Sequence, residues 1–481
     1  MECAEERVNN RDFTRKVSAS KSVSATVGNC GSTDIKVPLI SKIAYGLGDA
    51  GQNFSWMFVG NFLMIFYTDV FGISMAAVST LMLVSRVWDA VNDPVIGSLS
   101  DHTRTKWGRY RPWLIIAAPI TAVILVMTFW AHPTWSEGSK IVYMYVTYAF
   151  LVLGYTCVNI PFGTLCGTLT QNIEERAKIN TSRSVCGMIA INIINMITLP
   201  LINFFGKTNP ATGYLTVALL YGGIFTVFIA ICFAKTKEVV EPPKQKKIPM
   251  KTQIRCILQN KPYLFALACN TIFGAIVYGR NAVQVYYFTY VEGNAVLFTT
   301  YSLVIMIPAI LGASTFTFAF KLTGNKGRAA SLFAVLTGSF MIIQYFFSAV
   351  TSPIPFYICA ALSQFFFAGF NAANYAIIPD CVEYGEWKTG VRNDGFQYSL
   401  TSLGNKIGMA LSTSLLAAVL GGLGYVANQT QNPVVQSAMH HWFTTIPGIC
   451  WILTAVMMMF YKLDKKTYNK IVEEIKGRNN E

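Results

Sequence analysis

The chain has 481 residues, of which 53% are hydrophobic and 13% are charged, roughly half the charged fraction of a typical soluble domain. Its net charge is +14, but the basic residues lie in short loops between long apolar segments. This placement excludes a nucleic-acid-binding surface as their explanation and indicates a protein that sits in a lipid bilayer.

Twelve apolar segments, each long enough to cross a bilayer as a helix, follow one another along the chain. They lie near 43–68, 76–99, 113–132, 141–168, 184–205, 214–234, 263–290, 298–320, 329–350, 354–378, 396–424 and 442–461. A basic stretch that contains three prolines, 235–261, is the longest polar interruption and divides the segments six and six. We therefore predict an all-α membrane protein with 12 transmembrane helices in two six-helix bundles.

The charge pattern predicts how the chain is oriented in the membrane. Of the 38 Lys and Arg, 32 fall in tails and loops on one side, against Lys140 and Lys207 on the other. Basic loops stay in the cytoplasm, so we expect a multi-pass plasma (inner) membrane monomer with both termini cytoplasmic. The predicted parts are a disordered cytoplasmic N-terminal tail (1–37), two bundles (38–234 and 262–461), a cytoplasmic central loop (235–261) and a cytoplasmic C-terminal tail (462–481).

Two short sequences suggest that the bundles are repeats. FYTDVFG (66–72) ends the first segment, and YFTYVEG (287–293) ends the seventh. The identities pair Thr68, Val70 and Gly72 with Thr289, Val291 and Gly293. They occur at the register that duplicated six-helix halves would have, which gives modest support to a repeat.

The second segment contains RVWDAVNDP (86–94), which places Asp89 and Asp93 one helical turn apart with Asn92 beside them. An ionisable residue inside a membrane segment costs about 3 kcal/mol, so two on one face need a compensating cation or proton. Carboxylate and amide oxygens suit Na⁺, Li⁺ or H⁺ better than soft metals. We predict a cation site here, with Na⁺ at Asp89 and Asp93 as one occupant; the alternative is a fixed salt-bridge network with Arg86 and other internal bases.

Other polar residues in the segments are candidates for the substrate site. Amide side chains can bind sugar hydroxyls or hold helices together, and Arg183 and Arg280 lie near enough to segment ends to reach an interface instead. Lys406 lies about ten residues into its segment, which favours a role in the transport pathway. The predicted substrate residues are Gln52, Asn53, Tyr155, Asn159, Arg183, Arg280, Thr401 and Lys406.

Two loops are candidate gates. DHTRTKWGRYRP (101–112) and PDCVEYGEWKTGVRNDG (379–395) occupy comparable places in the two halves. Acids at helix ends can pair with loop bases in one conformation and release them in another, although solvated loops that only set the topology are the alternative. The predicted gating residues are Asp101, Arg109, Asp380 and Glu383.

No catalytic motif accompanies these sites. The chain contains no GxxxxGK[ST], HExxH or GxSxG, and its four His have no metal-ligand spacing. We therefore expect no enzyme activity and no cofactor, and an ion gradient must drive any pumping.

The motifs YGLGDAGQNF, FYTDVFGIS, RVWDAVNDPVIG, TRTKWGRYRPW, YTCVNIPFG and CVEYGEWKTGVR resemble, in this order, those of the glycoside-pentoside-hexuronide:cation symporter family. The resemblance covers about residues 38–465. It implies the major facilitator fold, in which two six-helix bundles surround a central cavity and work by alternating access.

The resemblance also implies residue roles. The family's cation site falls on Asp89, Asn92, Asp93 and Thr156, its lysine near that site on Lys406, and its sugar-site arginine on Arg183. The family's melibiose carriers have acids at Asn53 and Asn159 and a Trp at Gly163. The amides make the cavity less negative, which favours an anionic hexuronide, while a neutral xyloside or glucoside stays open.

The sequence thus predicts a symporter that imports a glycoside, pentoside or hexuronide with Na⁺ or H⁺. A lysolipid or other amphiphile transporter of the same fold is one alternative. A sugar sensor that no longer transports is the other.

Overall fold

The computed structural model describes residues 37–170, 173–239, 250–391, 393–461 and 463–480. They form helices joined by short loops. The α-helices are α1 (Leu39–Ile65), α2 (Met75–His102), α3 (Arg111–Thr128), α4 (Glu137–Leu169), α5 (Ile173–Phe205), α6 (Pro210–Lys235), α7 (Met250–Gln259), α8 (Lys261–Tyr286), α9 (Leu297–Thr323), α10 (Lys326–Gln344), α11 (Pro353–Thr389), α12 (Asp394–Gly422), α13 (Pro433–Phe443), α14 (Thr445–Met459) and α15 (Lys465–Asn480). The predictions for the N-terminal tail and for 240–249 of the central loop lie outside the described residues.

Ten spans in the described part of the chain are long and apolar enough to cross a membrane, and α13 and α14 together make the last of them. The predicted all-α membrane fold is confirmed. Helix α1 is not among these spans, and α2 contributes the shorter apolar stretch Met75–Ser85. The division into two six-helix bundles at 235–261 stays a prediction.

The two similar heptapeptides have the same local structure. Helices α1 and α8 each continue into a π-helical turn, Phe66–Val70 and Tyr287–Val291. Each turn is followed by a glycine with positive φ, 73° at Gly72 and 70° at Gly293, a conformation that a side chain would strain. The matching backbone supports a structural repeat between the halves.

Three helix pairs join the two halves of the chain. Helix α1 packs on α8, α2 on α12, and α5 on α9. Helix α4 packs on α2 within the first half. These contacts surround the middle of the molecule with helices that carry most of the polar residues predicted for the site.

Among the described residues, the buried apolar packing between the halves is concentrated at one end of the molecule. One apolar cluster contains residues of both halves near the π-helical turns, including Phe62, which contacts Phe298 with ring centroids 6.0 Å apart. The other two clusters are each confined to one half, around Tyr45 in the first and Tyr263 in the second. The described conformation is therefore closed at the end that the charge pattern assigns to the outside.

A polar cluster that we call the Asp69 clasp, formed by Asp69, Tyr290, Tyr425 and Asn428, lies at this closed end. The Asp69 carboxylate accepts hydrogen bonds from the Tyr290 and Tyr425 hydroxyls. The Asn428 amide donates to the Asp69 carbonyl oxygen at 2.5 Å. Because Asp69 follows α1 and its three partners follow α8 and α12, the clasp ties the halves together.

Candidate transport site

An ion pair missed in the sequence lies at the centre of the first half. The Arg183 Nε of α5 donates to the Asp49 Oδ1 of α1 at 2.6 Å, and the two side chains are 36% and 15% exposed. The Asn53 amide, one turn further along α1, donates to the Asp49 Oδ2 at 3.1 Å. The pair therefore combines two predicted substrate residues with an acid that holds both of them.

Glycine allows α1 and α5 to approach closely enough for this pair. A Cβ added at Gly187 would lie 2.5 Å from the Asp49 Oδ2, and one added at Gly46 would lie 2.8 Å from the Ser182 carbonyl oxygen. Side chains at these two positions would separate the helices or displace the Asp49 carboxylate.

A second group of predicted substrate residues forms a connected network between α1 and α4. The Asn159 amide donates to the Gln52 Oε1 at 2.9 Å and to the Tyr155 hydroxyl at 3.4 Å. The Tyr155 ring stacks on Trp56 with centroids 4.3 Å apart. The network presents amide and hydroxyl groups beside an aromatic face, which suits a sugar ring with its hydroxyls.

The predicted cation residues lie together on α2 and α4. Asp89 and Asn92 are buried at 4% and 6% exposure, and the Thr156 hydroxyl donates to the Asp93 Oδ1 at 3.4 Å. The Asn92 Nδ2 finds no hydrogen-bond partner among the described residues. Because an Asn amide can rotate to exchange its oxygen for its nitrogen, this side chain is able to offer an oxygen ligand.

Lys406 of α12 reaches across to this site. Its Nζ donates to the Asp93 Oδ2, and the side chains are 36% and 29% exposed. Asp93 is thus paired with a lysine of the other half, in a place that solvent reaches. The Arg86 side chain, the partner considered from the sequence, lies outside the described part of the structure.

Within the described residues, no group of three or more His, Cys, Asp or Glu is placed to hold a metal ion. Asp89, Asn92, Asp93 and Thr156 offer only oxygen donors, whereas transition-metal sites typically include His or Cys. Such a set fits a weakly held Na⁺ or a proton.

A chamber between the halves adjoins these groups on the side of the closed end. Helices α1, α2, α4, α8 and α12 line it, and its surface is mostly apolar. Residues on its wall include Trp56, Asn61, Met64, Met82, Asn281 and Met409.

Two predicted substrate residues lie elsewhere. Arg280 is 6% exposed; its Nε donates to the Phe443 carbonyl oxygen at 3.0 Å, and its guanidinium lies over the Phe443 ring at 4.6 Å. Thr401 is buried, with its hydroxyl 3.1 Å from that of Tyr263. Both face the interior of the second half because of how α8 and α12 are rotated, so we do not keep them in the proposed site.

The predicted gating residues make their contacts within one half. The Tyr110 hydroxyl donates to the Asp101 Oδ1 at 2.7 Å. Burial of Tyr110, and to a lesser extent this hydrogen bond, raises the pKa of Tyr110 to about 12. The Arg109 backbone N–H donates to Glu238 at 2.8 Å. Lys326 pairs with Asp380 at 2.8 Å. The Glu383 Oε2 is buried with no hydrogen-bond partner in the described ranges.

Sequence reasoning overlooked Asp49, although a signal for it was present. Asp49 and Asn53 are four residues apart, the same spacing that pointed to Asp89 and Asp93. Asp49 lacked an obvious partner in the sequence, because Arg183 is 134 residues away.

Comparisons with known proteins show which proteins this chain resembles. The family model for MFS/sugar transport proteins matches residues 44–465. The chain is 35% identical to the isoprimeverose transporter of Lactiplantibacillus pentosus, over 89% of this chain and 90% of the relative. It is 32% identical to the glucuronide carrier protein homolog of Escherichia coli (strain K12), over 91% of this chain and 95% of the relative.

A likeness of fold extends to solved structures. The nucleoside transporter NupG has a TM-score of 0.59 at 13% identity, over 88% of this chain and 100% of that chain. The family match and the two curated relatives define the protein more closely. The chain therefore belongs to the glycoside-pentoside-hexuronide:cation symporters of the major facilitator superfamily, and it is a membrane transporter of sugars.

Proposed function

We propose that the protein imports a glycoside together with Na⁺ or H⁺ by alternating access. The cation would bind at Asp89, Asn92, Asp93 and Thr156. The sugar would bind at the Asp49–Arg183 pair and at the network of Gln52, Asn53, Tyr155 and Asn159. The observation that carries the proposal is the contact between Lys406 and Asp93, which links the two halves at the cation residues.

Lys406 supplies a physical route to coupling. In the described conformation its ammonium neutralises Asp93. A Na⁺ or a proton at Asp93 would remove the reason for that contact, so Lys406 would be released into the space beside the sugar residues. There it can donate hydrogen bonds to hydroxyls, and cation binding would raise sugar affinity. Linkage requires the sugar to raise cation affinity by the same factor.

The residues are compatible with both coupling ions. Carboxylate, amide and hydroxyl oxygens are hard ligands that Na⁺ accepts, whereas a proton needs only a carboxylate. The printed names of the relatives suggest the sugars to test first, namely isoprimeverose and a glucuronide.

The decisive experiment is uptake of these labelled sugars into proteoliposomes with an imposed Na⁺ gradient or pH gradient. We expect accumulation above the equilibrium level with one of the two gradients. No accumulation of any glycoside under either gradient would refute the proposal. A sensor would bind sugar without catalysing counterflow, and an amphiphile carrier would take up lysolipid instead, so the same vesicles separate the alternatives.

The two ends of the molecule also need an assignment to membrane faces. We propose that the end closed by the Asp69 clasp is extracellular and that the termini and the gating residues Asp101, Arg109, Asp380 and Glu383 are cytoplasmic. The positions of the basic residues support this orientation.

A further inference from the structure

The basic side chains described at the proposed site already have acidic partners. Arg183 is paired with Asp49 at 2.6 Å, and Lys406 is paired with Asp93. Arg280, the third base that the sequence suggested for the site, is buried against Phe443. In the described conformation, a substrate carboxylate would therefore meet Arg183 and Lys406 each next to a competing carboxylate, and this stays true of Arg183 when a cation holds Asp93.

The Asp49–Arg183 pair has the chemistry to bind hydroxyls. Its guanidinium donates hydrogen bonds, and its carboxylate accepts them, with Oδ1 bound to Arg183 and Oδ2 to Asn53. A sugar hydroxyl both donates and accepts, so it can use both members of the pair. A carboxylate can only accept hydrogen bonds, so it gains no hydrogen bond from the Asp49 carboxylate.

Electrostatics oppose an anion at this pair. A carboxylate that approaches the guanidinium also approaches Asp49, and by Coulomb's law the attraction and the repulsion differ only through their two distances. Little net attraction is left to offset the loss of hydration that a carboxylate suffers on entering the site. A neutral sugar has no such charge to dehydrate.

We propose that Asp49 is a specificity-determining residue that makes the protein prefer neutral glycosides over hexuronides. This inference rests on the proposed function, since it concerns the same sugar site. It reverses the expectation drawn from Asn53 and Asn159, because the acid that those positions lack is supplied one turn earlier on α1. The absence of a side chain at Gly187 leaves the room that the Asp49 carboxylate occupies.

The test compares sugars that differ only at C6. Methyl β-D-glucoside and methyl β-D-glucuronide form one pair, and methyl β-D-galactoside and methyl β-D-galacturonide form a second. Each competes with uptake of a labelled substrate into proteoliposomes. For the wild type we expect the neutral member of a pair to compete at least about tenfold better, since discrimination is a difference between two affinities.

The variant Asp49→Asn keeps the size of the side chain and removes its charge. We expect its preference to move at least about tenfold towards the uronide, because the Arg183 charge is no longer neutralised. Asp49→Glu keeps the charge and should keep the neutral preference. The matched control is Glu137→Gln, which removes the charge of an exposed acid at the start of α4 and should leave the ratio unchanged.

The outcomes separate this inference from the proposed function. A wild type that prefers the uronide would overturn the inference even if Asp49→Asn does not reach the membrane. An unchanged ratio in a folded Asp49→Asn protein would overturn it as well. A wild type that shows no cation-driven uptake of any sugar would instead refute the proposed function.

Discussion

At the scale of single residues, the proposed function requires Asp93 to exchange Lys406 for a cation. Lys406 satisfies its charge in the described conformation, and a cation would satisfy it in another. Because both side chains are about one-third exposed, solvent screens the pair and it is not a permanently locked buried ion pair. An exchange between an internal lysine and an external cation is therefore physically accessible.

The variant Asp93→Asn tests this exchange. It keeps the shape of the side chain but can neither bind a cation strongly nor titrate, so we expect cation-driven accumulation to fall at least about tenfold. Sugar exchange across the membrane without a gradient should persist, since the sugar residues are intact.

Labelled-sugar counterflow and gradient-driven uptake measure the two activities separately. Glu137→Gln, which removes an exposed acid at the start of α4, is the control and should transport normally. Full gradient-driven uptake by Asp93→Asn would contradict the assignment of the cation site.

Glu175 at the start of α5 gives a pH-dependent contribution to stability. Hydrogen bonds from Lys42 and Lys178 lower the pKa of Glu175 from 4.5 to about 2, and the two ion pairs measure 2.6 and 2.9 Å. The ionised form is thus favoured in the folded state, so the contribution is present above pH 4.5 and is lost as the pH falls towards 2.

We expect Glu175→Gln to lower the melting temperature by at least about one or two degrees at pH 7, because it removes the acid from both ion pairs. The difference from the wild type should shrink below pH 4. Thermal unfolding of the detergent-solubilised protein, followed by tryptophan fluorescence, measures it. A difference that grows on acidification would contradict the assignment.

At the scale of secondary-structure elements, the Asp69 clasp joins the turn after α1 to the turn after α8 and the loop after α12. Hydrogen bonds to a charged group are worth about 1.5–3 kcal/mol each, so a few of them bias which end of the transporter is closed. The π-helical turn Phe66–Val70 positions Asp69 for these contacts. Opening towards the outside must break them.

Replacing both tyrosines by phenylalanine (Tyr290→Phe with Tyr425→Phe) should loosen the closed end. Loss of two hydrogen bonds to Asp69 is expected to raise the outward-open population about tenfold or more, since 1.4 kcal/mol corresponds to a factor of ten. Spin labels at Ser74→Cys and Asn294→Cys report the opening through their distance distribution.

Tyr143→Phe is the matched control. Its hydroxyl also lies at this end but donates to the Met127 carbonyl oxygen within the first half, so its loss should not change the opening. Identical distance distributions in the double variant and the wild type would show that the clasp does not hold the halves together.

At the scale of the whole molecule, the apolar packing shared by the halves and most of the basic residues lie at opposite ends. The cluster shared by both halves lies at one end, and the two clusters confined to single halves lie at the other. Most basic loop residues belong to the second end, where charged side chains remain in water. Alternating access would exchange which end has the shared packing.

Reporter fusions in a bacterial host test the orientation. A fluorescent protein fused after Glu481 should fluoresce, because this reporter matures in the cytoplasm. Alkaline phosphatase inserted between Pro133 and Thr134 should be active, because it requires the periplasm. The opposite pattern would reverse the proposed faces of the membrane.

The features that depend on residues close together in the chain could be predicted from the sequence. Apolar segments follow from hydropathy alone, and Asp89 and Asp93 stand out because they share a helix face within an apolar run. The similar heptapeptides at 66–72 and 287–293 indicated corresponding places in the two halves, and the structure has a π-helical turn at each of them.

Which distant side chains contact each other depends on how the helices pack in the tertiary structure. Asp49 contacts Arg183 across 134 residues of sequence, and Asp69 contacts Tyr425 across 356. Arg280 points into its own half instead of the chamber. The physical reason is that almost every face of a membrane helix is apolar, so the hydrophobic pattern does not fix its rotation. Packing between helices fixes that rotation, and with it the charge that a substrate encounters.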